Sequence, residues 1–180
     1  MLAMLFGGFL VSVFTPSGSI RVLTDVTNGL SGNLDLDPAP FIKLATGYYY
    51  FEFNKKANWF EAYEACRRIN GHLVSFDTRE ELEAVIRYIR GSTYIDRFWT
   101  SGTDYAHHGH YVWFATGKPI DLDIWWPNEP NHFNDAEHCA ELSINPQTNQ
   151  LKGIADVVCV LSRAYICEAE EATTASVAVW

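Results

Sequence analysis

Residues 125–139 read WWPNEPNHFNDAEHC. Prolines at 127 and 130 exclude a helix interior, where each would remove a hydrogen bond and clash with the preceding turn. They also exclude a central strand, because proline has no N–H for the ladder. The stretch is therefore a loop, and it is rich in oxygen. Glu129, Asn131, Asp135 and Glu137 offer carboxylate and amide oxygens from one segment, with Asp156 a further candidate downstream. Hard oxygen donors in this number suit Ca²⁺, which takes about 6 to 8 of them; the alternative is a solvated acidic turn. The X-Pro bond between Glu129 and Asn131 can be cis at modest cost, and a cis bond would turn both side chains to one side.

Upstream of the loop the chain carries clear start and stop signals. TGYYYFEF (46–53) is aromatic-rich and predicts a strand. Asn58 with Glu61 three residues later opens a helix as a capping box. Trp59, Tyr63, Cys66 and Ile69 keep helical spacing up to Gly71, which is expected as the C′ residue. A short strand at 72–76 follows, and Thr78 with Glu81 repeats the capping signature. This second helix turns Leu82, Val85, Ile86 and Ile89 inward and ends at Gly91. Beyond it the helical period disappears. FWTSG (98–102), YVWF (111–114), CAELSI (139–144), LKGIAD (151–156) and AYICE (164–168) read as short strands between long loops. Two helices followed by a strand-rich half predict an α+β class. The loop at 115–138 exceeds the usual length, and loops of that length are generally functional or disordered.

A length of 180 residues suggests one domain with extensions, and 48% hydrophobic with 14% aromatic residues is ample for a core. The formal net charge of −9 disfavours nucleic acid as a partner, since phosphates need a basic surface, and equally disfavours an anionic membrane surface. Residues 1–14, MLAMLFGGFLVSVF, are apolar without a charged side chain but too short for a membrane span, which needs about 20. Small residues follow at Ser17, Gly18 and Ser19, so 1–19 is expected as a cleaved secretory signal peptide. The mature chain is then expected to be secreted, extracellular and free of membrane insertion. Residues 20–43 read as an irregular N-terminal segment and 170–180 as a flexible tail. Cys66, Cys139, Cys159 and Cys167 are an even number and fit an exported, oxidised domain, with three pairings open on arithmetic alone. The absence of a CxxC pair argues against a structural zinc site.

Trp125 and Pro127 ahead of Glu129-Pro130-Asn131, Glu137 just before Cys139, and Asp156 three residues before Cys159 together resemble a C-type lectin domain. The likeness extends to the first helix with Cys66, to Gly71-His72-Leu73-Val74-Ser75, to Phe98-Trp99-Thr100-Ser101-Gly102 and to a closing Cys167. It covers roughly 45–168 and is similar to secreted single-domain insect lectins. The resemblance implies a C-type lectin domain over 44–169, with two helices, two small antiparallel sheets and a long ligand-binding loop. It implies disulfides Cys66–Cys167 and Cys139–Cys159. It also implies one Ca²⁺ held by Glu129, Asn131, Glu137 and Asp156, with vicinal hydroxyls of a glycan on the same ion and the same side chains. Partners would be glycans on microbial or host surfaces. In the family the Glu-Pro-Asn order accompanies mannose-type sugars and Gln-Pro-Asp galactose, since a carboxylate accepts where an amide NH₂ donates.

The chain departs from the family pattern where Ile154-Ala155-Asp156 replaces Trp-Asn-Asp. Ala155 carries no donor atom, so the site is expected to be weak unless water or Asp135 substitutes. The alternative function is a Ca²⁺-independent, protein-binding lectin-like domain. His132 and His138 stand where relatives carry acids for accessory Ca²⁺ ions, so further Ca²⁺ is not expected. His107-His108-Gly109-His110 offers imidazoles, but neighbouring histidines on an irregular loop rarely converge on one ion, and zinc is not expected there. Trp99, Trp113 and Trp125 are expected in the core, with Trp126 and Phe133 available for contacts. Glu129 and Glu137 could act as a glycosidase pair, but nothing in the sequence marks one as buried and the other as free, and the resemblance implies no enzyme.

Overall fold

The computed structural model describes residues 26–27, 30–31, 40–44, 46–92, 97–144 and 151–169. The expected signal at 1–19 and tail at 170–180 lie outside the described residues. The chain divides into two units, Met1–Asp37 with Glu171–Trp180, and Pro38–Glu170. In the first, β1 (Val26–Thr27) and β2 (Leu30–Ser31) form a short antiparallel pair. The second carries both helices and the large sheet.

Helix α1 (Trp59–Arg68) starts where the sequence predicts. Asn58 Oδ1 accepts the Glu61 N–H at 2.9 Å and Glu61 Oε2 accepts the Asn58 N–H at 3.1 Å. Such a cap contributes about 1 kcal/mol. The helix ends differently from expectation: the left-handed residue is Asn70, with φ 59°, and Gly71 instead opens β5 (Gly71–Leu73). A Cβ at Gly71 would lie 2.6 Å from the Glu168 carbonyl oxygen, so glycine is needed for close strand approach rather than for the turn. Helix α2 (Arg79–Gly91) repeats the capping box with Thr78 and Glu81. Its inward residues Leu82, Val85, Ile86 and Ile89 are buried, each contributing about 1.5 to 3 kcal/mol.

The sheet runs in the order β3 (Ile42–Leu44), β4 (Gly47–Ala57), β10 (Arg163–Ala169), β6 (Arg97–Thr103), β8 (Cys139–Ile144) and β9 (Leu151–Val157). β5 pairs with β10, and β7 (Val112–Trp113) pairs with β6. All of these pairs are antiparallel except β10–β6, where Ala164 faces Phe98 and Tyr165 faces Trp99 in parallel. The α+β class and the two helices are as expected, but the strands expected as two small antiparallel sheets are joined by this parallel pair into one mixed sheet. A long connection separates β6 from β10, which is what a parallel pair requires.

One core cluster packs α2 against Phe98, Trp113, Leu142, Ile154 and Ile166. The other packs Trp59, Leu73 and Trp99 around all four cysteines. Cys66 pairs with Cys167 at a Cα separation of 5.3 Å, and Cys139 with Cys159 at 5.1 Å. The indoles of Trp59 and Trp99 donate to the carbonyls of Thr100 and Ala57 at 2.9 and 2.8 Å, which joins α1 and the end of β4 to β6. The base of the domain is thus closed by apolar packing, two covalent bridges and satisfied polar groups.

Candidate functional site

The long loop is ordered by its seam with β9. The Trp126 N–H donates to Ile154 O at 2.9 Å, and the Ile154 N–H donates to Ile124 O at 2.8 Å. Gly153 makes this seam possible. Its φ is +119°, and a Cβ there would meet Ile124 O at 2.5 Å and Trp126 N at 3.0 Å. From Asn128 to Asp135 the loop bends through left-handed residues: Asn128, His132, Asn134 and Asp135 have φ of 69°, 50°, 56° and 51°. Asn, Asp and His are the non-glycine types that tolerate this region best, so the polar composition serves backbone shape as well as chemistry. The Glu129–Pro130 bond is cis.

Glu129, Asn131, Glu137 and Asp156 converge at the end of this loop. Asn131 Nδ2 donates to both carboxylate oxygens of Glu129 at 2.9 Å. Asp156, 2% exposed on β9, accepts the N–H groups of Asn131 and His132, each at 2.9 Å. The Tyr111 hydroxyl lies 3.0 Å from both Asp156 Oδ2 and the Glu137 carbonyl oxygen and shares its single proton between them. Glu137 Oε2 accepts the Phe133 N–H at 3.2 Å. The loop tip is therefore folded around the side chain of Asp156.

The electrostatics of the cluster are unbalanced. Burial, then a carboxyl–carboxyl hydrogen bond with Asp156, pushes Glu129 up to about 7, with Asp156 and Glu137 adding negative charge. Burial also raises Glu137, again helped by the charge of Asp156. For Asp156, burial is outweighed by hydrogen bonds from Glu129, Asn131, His132 and Tyr111, and its carboxyl is held below the usual range. Burial together with the charges of Asp156 and Asp104 pushes Tyr111 far up, so its hydroxyl stays a donor. Among the described residues, no lysine or arginine pairs with Glu129, Glu137 or Asp156.

The other sequence candidates distribute as follows. Trp99 and Trp113 are fully buried and Trp125 is partly buried against the core. Phe133 is 65% exposed beside the cluster, while Trp126 is half-buried. Asp135 Oδ1 lies 3.9 Å from His108 Nε2. Ala155 is buried opposite Glu141 in the ladder, next to Asp156, which is opposite Ala140. Tyr111 was not legible as a site residue. It reads as an ordinary strand aromatic, and only folding brings its hydroxyl to a carboxylate 45 positions away.

Residues 55–169 match the lectin C-type domain. The chain is 34% identical over 175 residues to C-type lectin 37Da of Drosophila melanogaster, covering 94% of each sequence. Among solved structures it is similar to the mouse scavenger receptor C-type lectin carbohydrate-recognition domain, with TM-score 0.63 and 24% identity over 77% of this chain and 99% of that one. It is also similar to the cow C-type carbohydrate-recognition domain of CD23, solved in the presence of GlcNAc2Man3 oligosaccharide. There the TM-score is 0.61 and the identity 24%, over 76% of this chain and 97% of that one. The two structures establish likeness of fold. The domain match and the near full-length relative establish more: this chain belongs to the C-type lectin domain family, whose members are non-catalytic binding domains.

Proposed function

We propose that the chain is a secreted, Ca²⁺-dependent carbohydrate-binding domain of mannose type. Glu129, Asn131, Glu137 and Asp156 would hold the ion. The observation that carries this reading is the unbalanced cluster: Glu129, Glu137 and Asp156 act on one another with like charge and without a basic partner among the described residues, and Glu129 is pushed up to about 7 by burial and by Asp156. A divalent cation would remove the repulsion, and oxygen donors of this kind are the ones Ca²⁺ takes. When bound, Ca²⁺ supplies open coordination positions for vicinal sugar hydroxyls. A hydroxyl between Glu129 and Asn131 would donate to the carboxylate and accept from the amide NH₂, in place of the bond those side chains make to each other. The CD23 domain was solved with a mannose-containing oligosaccharide present, and the same class of ligand is the first to try here.

A raised carboxyl beside a lowered one is also the pattern of an acid–base pair; in a non-catalytic family that asymmetry is read as metal ligation. Ala155 favours a second reading, a Ca²⁺-independent domain that binds protein. Calorimetric titration with Ca²⁺, followed by binding to a mannose-rich glycan array with and without chelator, separates the two. Glycan binding that needs Ca²⁺ and disappears in Glu129→Gln supports the first. Absence of both Ca²⁺ and glycan binding in the wild type rejects it.

A further inference from the structure

We propose a second metal site on the same face of the domain, a Zn²⁺-type site formed by Asp104, His108 and His132. One potential ligand atom from each residue lies within 4.8 Å of the other two. Three atoms so placed have a common point within about 2.8 Å of all of them, and side-chain adjustment of under an ångström closes that to the roughly 2.0–2.2 Å of Zn–N and Zn–O bonds. The donor set is chemically selective. Imidazole nitrogen suits zinc and its neighbours, whereas Ca²⁺ and Mg²⁺ take oxygen, of which these side chains offer one carboxylate.

Three further observations converge on this point. His132 Nδ1 is buried without a hydrogen-bond partner. It lies 3.4 Å from Asp156 Oδ2, a distance that would suit a pair, but the direction is wrong for a hydrogen bond, and that oxygen already accepts from the His132 N–H and Tyr111. Its other carboxylate neighbour is Asp104 Oδ2, at 3.7 Å. A buried polar atom without a partner is uncommon, and a bound cation would satisfy it. Next, Asp104 is 1% exposed and already oriented: His138 Nδ1 contacts its Oδ1 at 2.8 Å, and the Gly109 N–H donates to its Oδ2 at 2.7 Å. Outer contacts of this type fix a ligand before the metal arrives. Finally, the His108 and His132 ring centroids are 4.7 Å apart, and the Tyr111 ring stacks on His132 at 5.8 Å. The histidine run at 107–110 thus supplies one ligand, and its partners come from β6's end and the long loop. The ion would clamp the 104–110 segment to the loop, with water at a fourth position. This inference is independent of the Ca²⁺ and glycan reading.

The test is calorimetric titration of the full chain with ZnCl₂ in saturating CaCl₂, repeated with Co²⁺ while visible absorption is recorded. One Zn²⁺ per chain is expected, undisplaced by Ca²⁺, together with Co²⁺ bands of a nitrogen-containing site. His108→Ala, at a half-exposed position, should weaken Zn²⁺ binding roughly tenfold or more, and His132→Ala likewise. His107→Ala should leave it unchanged. Wild-type ¹⁵N spectra should show the imidazoles of His108 and His132 shifting together on Zn²⁺ addition, a readout that needs no variant. Absence of stoichiometric Zn²⁺ binding, displacement by Ca²⁺, or equal loss in His107→Ala would overturn the proposal.

Discussion

Glu141 and Glu129 are both acids drawn into the same domain, and the fold resolves them in opposite ways. Glu141, 1% exposed on β8, accepts from Arg97 Nη1 at 3.0 Å through one oxygen and from Arg163 Nε through the other. Glu129, at the loop end, meets an amide and two further carboxylates, and burial with Asp156 pushes it up to about 7. A buried charge with a guanidinium on each oxygen is complete and belongs to the architecture. A partly buried one, met by an amide and by its own sign, is incomplete and suits an added cation. The same side chain therefore reads as scaffold in one place and as a candidate ligand in the other, and its neighbours make the difference.

The largest expected effect would detach the loop end from the base. Gly153→Ala places a Cβ 2.5 Å from Ile124 O at a φ of +119°, and should cost about 2 to 3 kcal/mol in chemical denaturation. It should also weaken any Ca²⁺ binding, because the seam that positions Asp156 beneath the loop is lost, while the Arg97–Glu141–Arg163 group stays intact. Glu141→Gln comes next. Breaking a fully buried ion pair costs about 3 to 5 kcal/mol, but Arg97 is half-exposed, so about 2 kcal/mol is expected. That loss should be the same with and without Ca²⁺. Calcium sensitivity in this variant would break the comparison.

The next effect is read through pH. Because burial and Asp156 raise Glu129 in the folded state above its ordinary 4.5, the ion-free protein binds that proton more tightly than the unfolded chain does. Its stabilising contribution is fully present below about 4.5 and is lost as pH rises through about 7. Ca²⁺ binding should run the other way, since ion and proton compete, with affinity falling roughly tenfold from pH 7 to 5.5. Calorimetry at both values checks this, and a flat profile would remove Glu129 from the ligand set. The smallest effect sharpens the contrast most. Without Ca²⁺, Glu129→Gln should be neutral or stabilising by up to about 1 kcal/mol at pH 8, because it removes repulsion. The same substitution should abolish any rise in melting temperature on Ca²⁺ addition. Glu141→Gln and Glu129→Gln then carry opposite signs.

Much of the base was legible locally. Asn58 with Glu61 and Thr78 with Glu81 form capping boxes because three-residue spacing alone brings those groups together. The inward row of α2 follows from helical periodicity. Gly71 misled for a reason of the same kind. A glycine after a helix suggests the left-handed turn, but Asn70 takes that turn, and the strand beside Glu168 requires Gly71. The joined sheet was not legible, because a parallel β10–β6 pair rests on packing between distant segments.

The same division holds at the site. The sequence by itself determined that 125–139 is a proline-bounded, oxygen-rich loop, since proline chemistry and composition are properties of neighbouring residues. Its resemblance to a C-type lectin domain named Glu129, Asn131, Glu137 and Asp156 as the expected ligand set. Only the tertiary structure decided that Tyr111 and two loop N–H groups hold Asp156. Only it separated Glu141, paired with two arginines, from the unpaired acids, and brought His132 to Asp104 and His108 from separate segments of the chain. The reason is physical: a pattern fixes which groups are available, while burial and long-range contact fix which charges are left to be balanced.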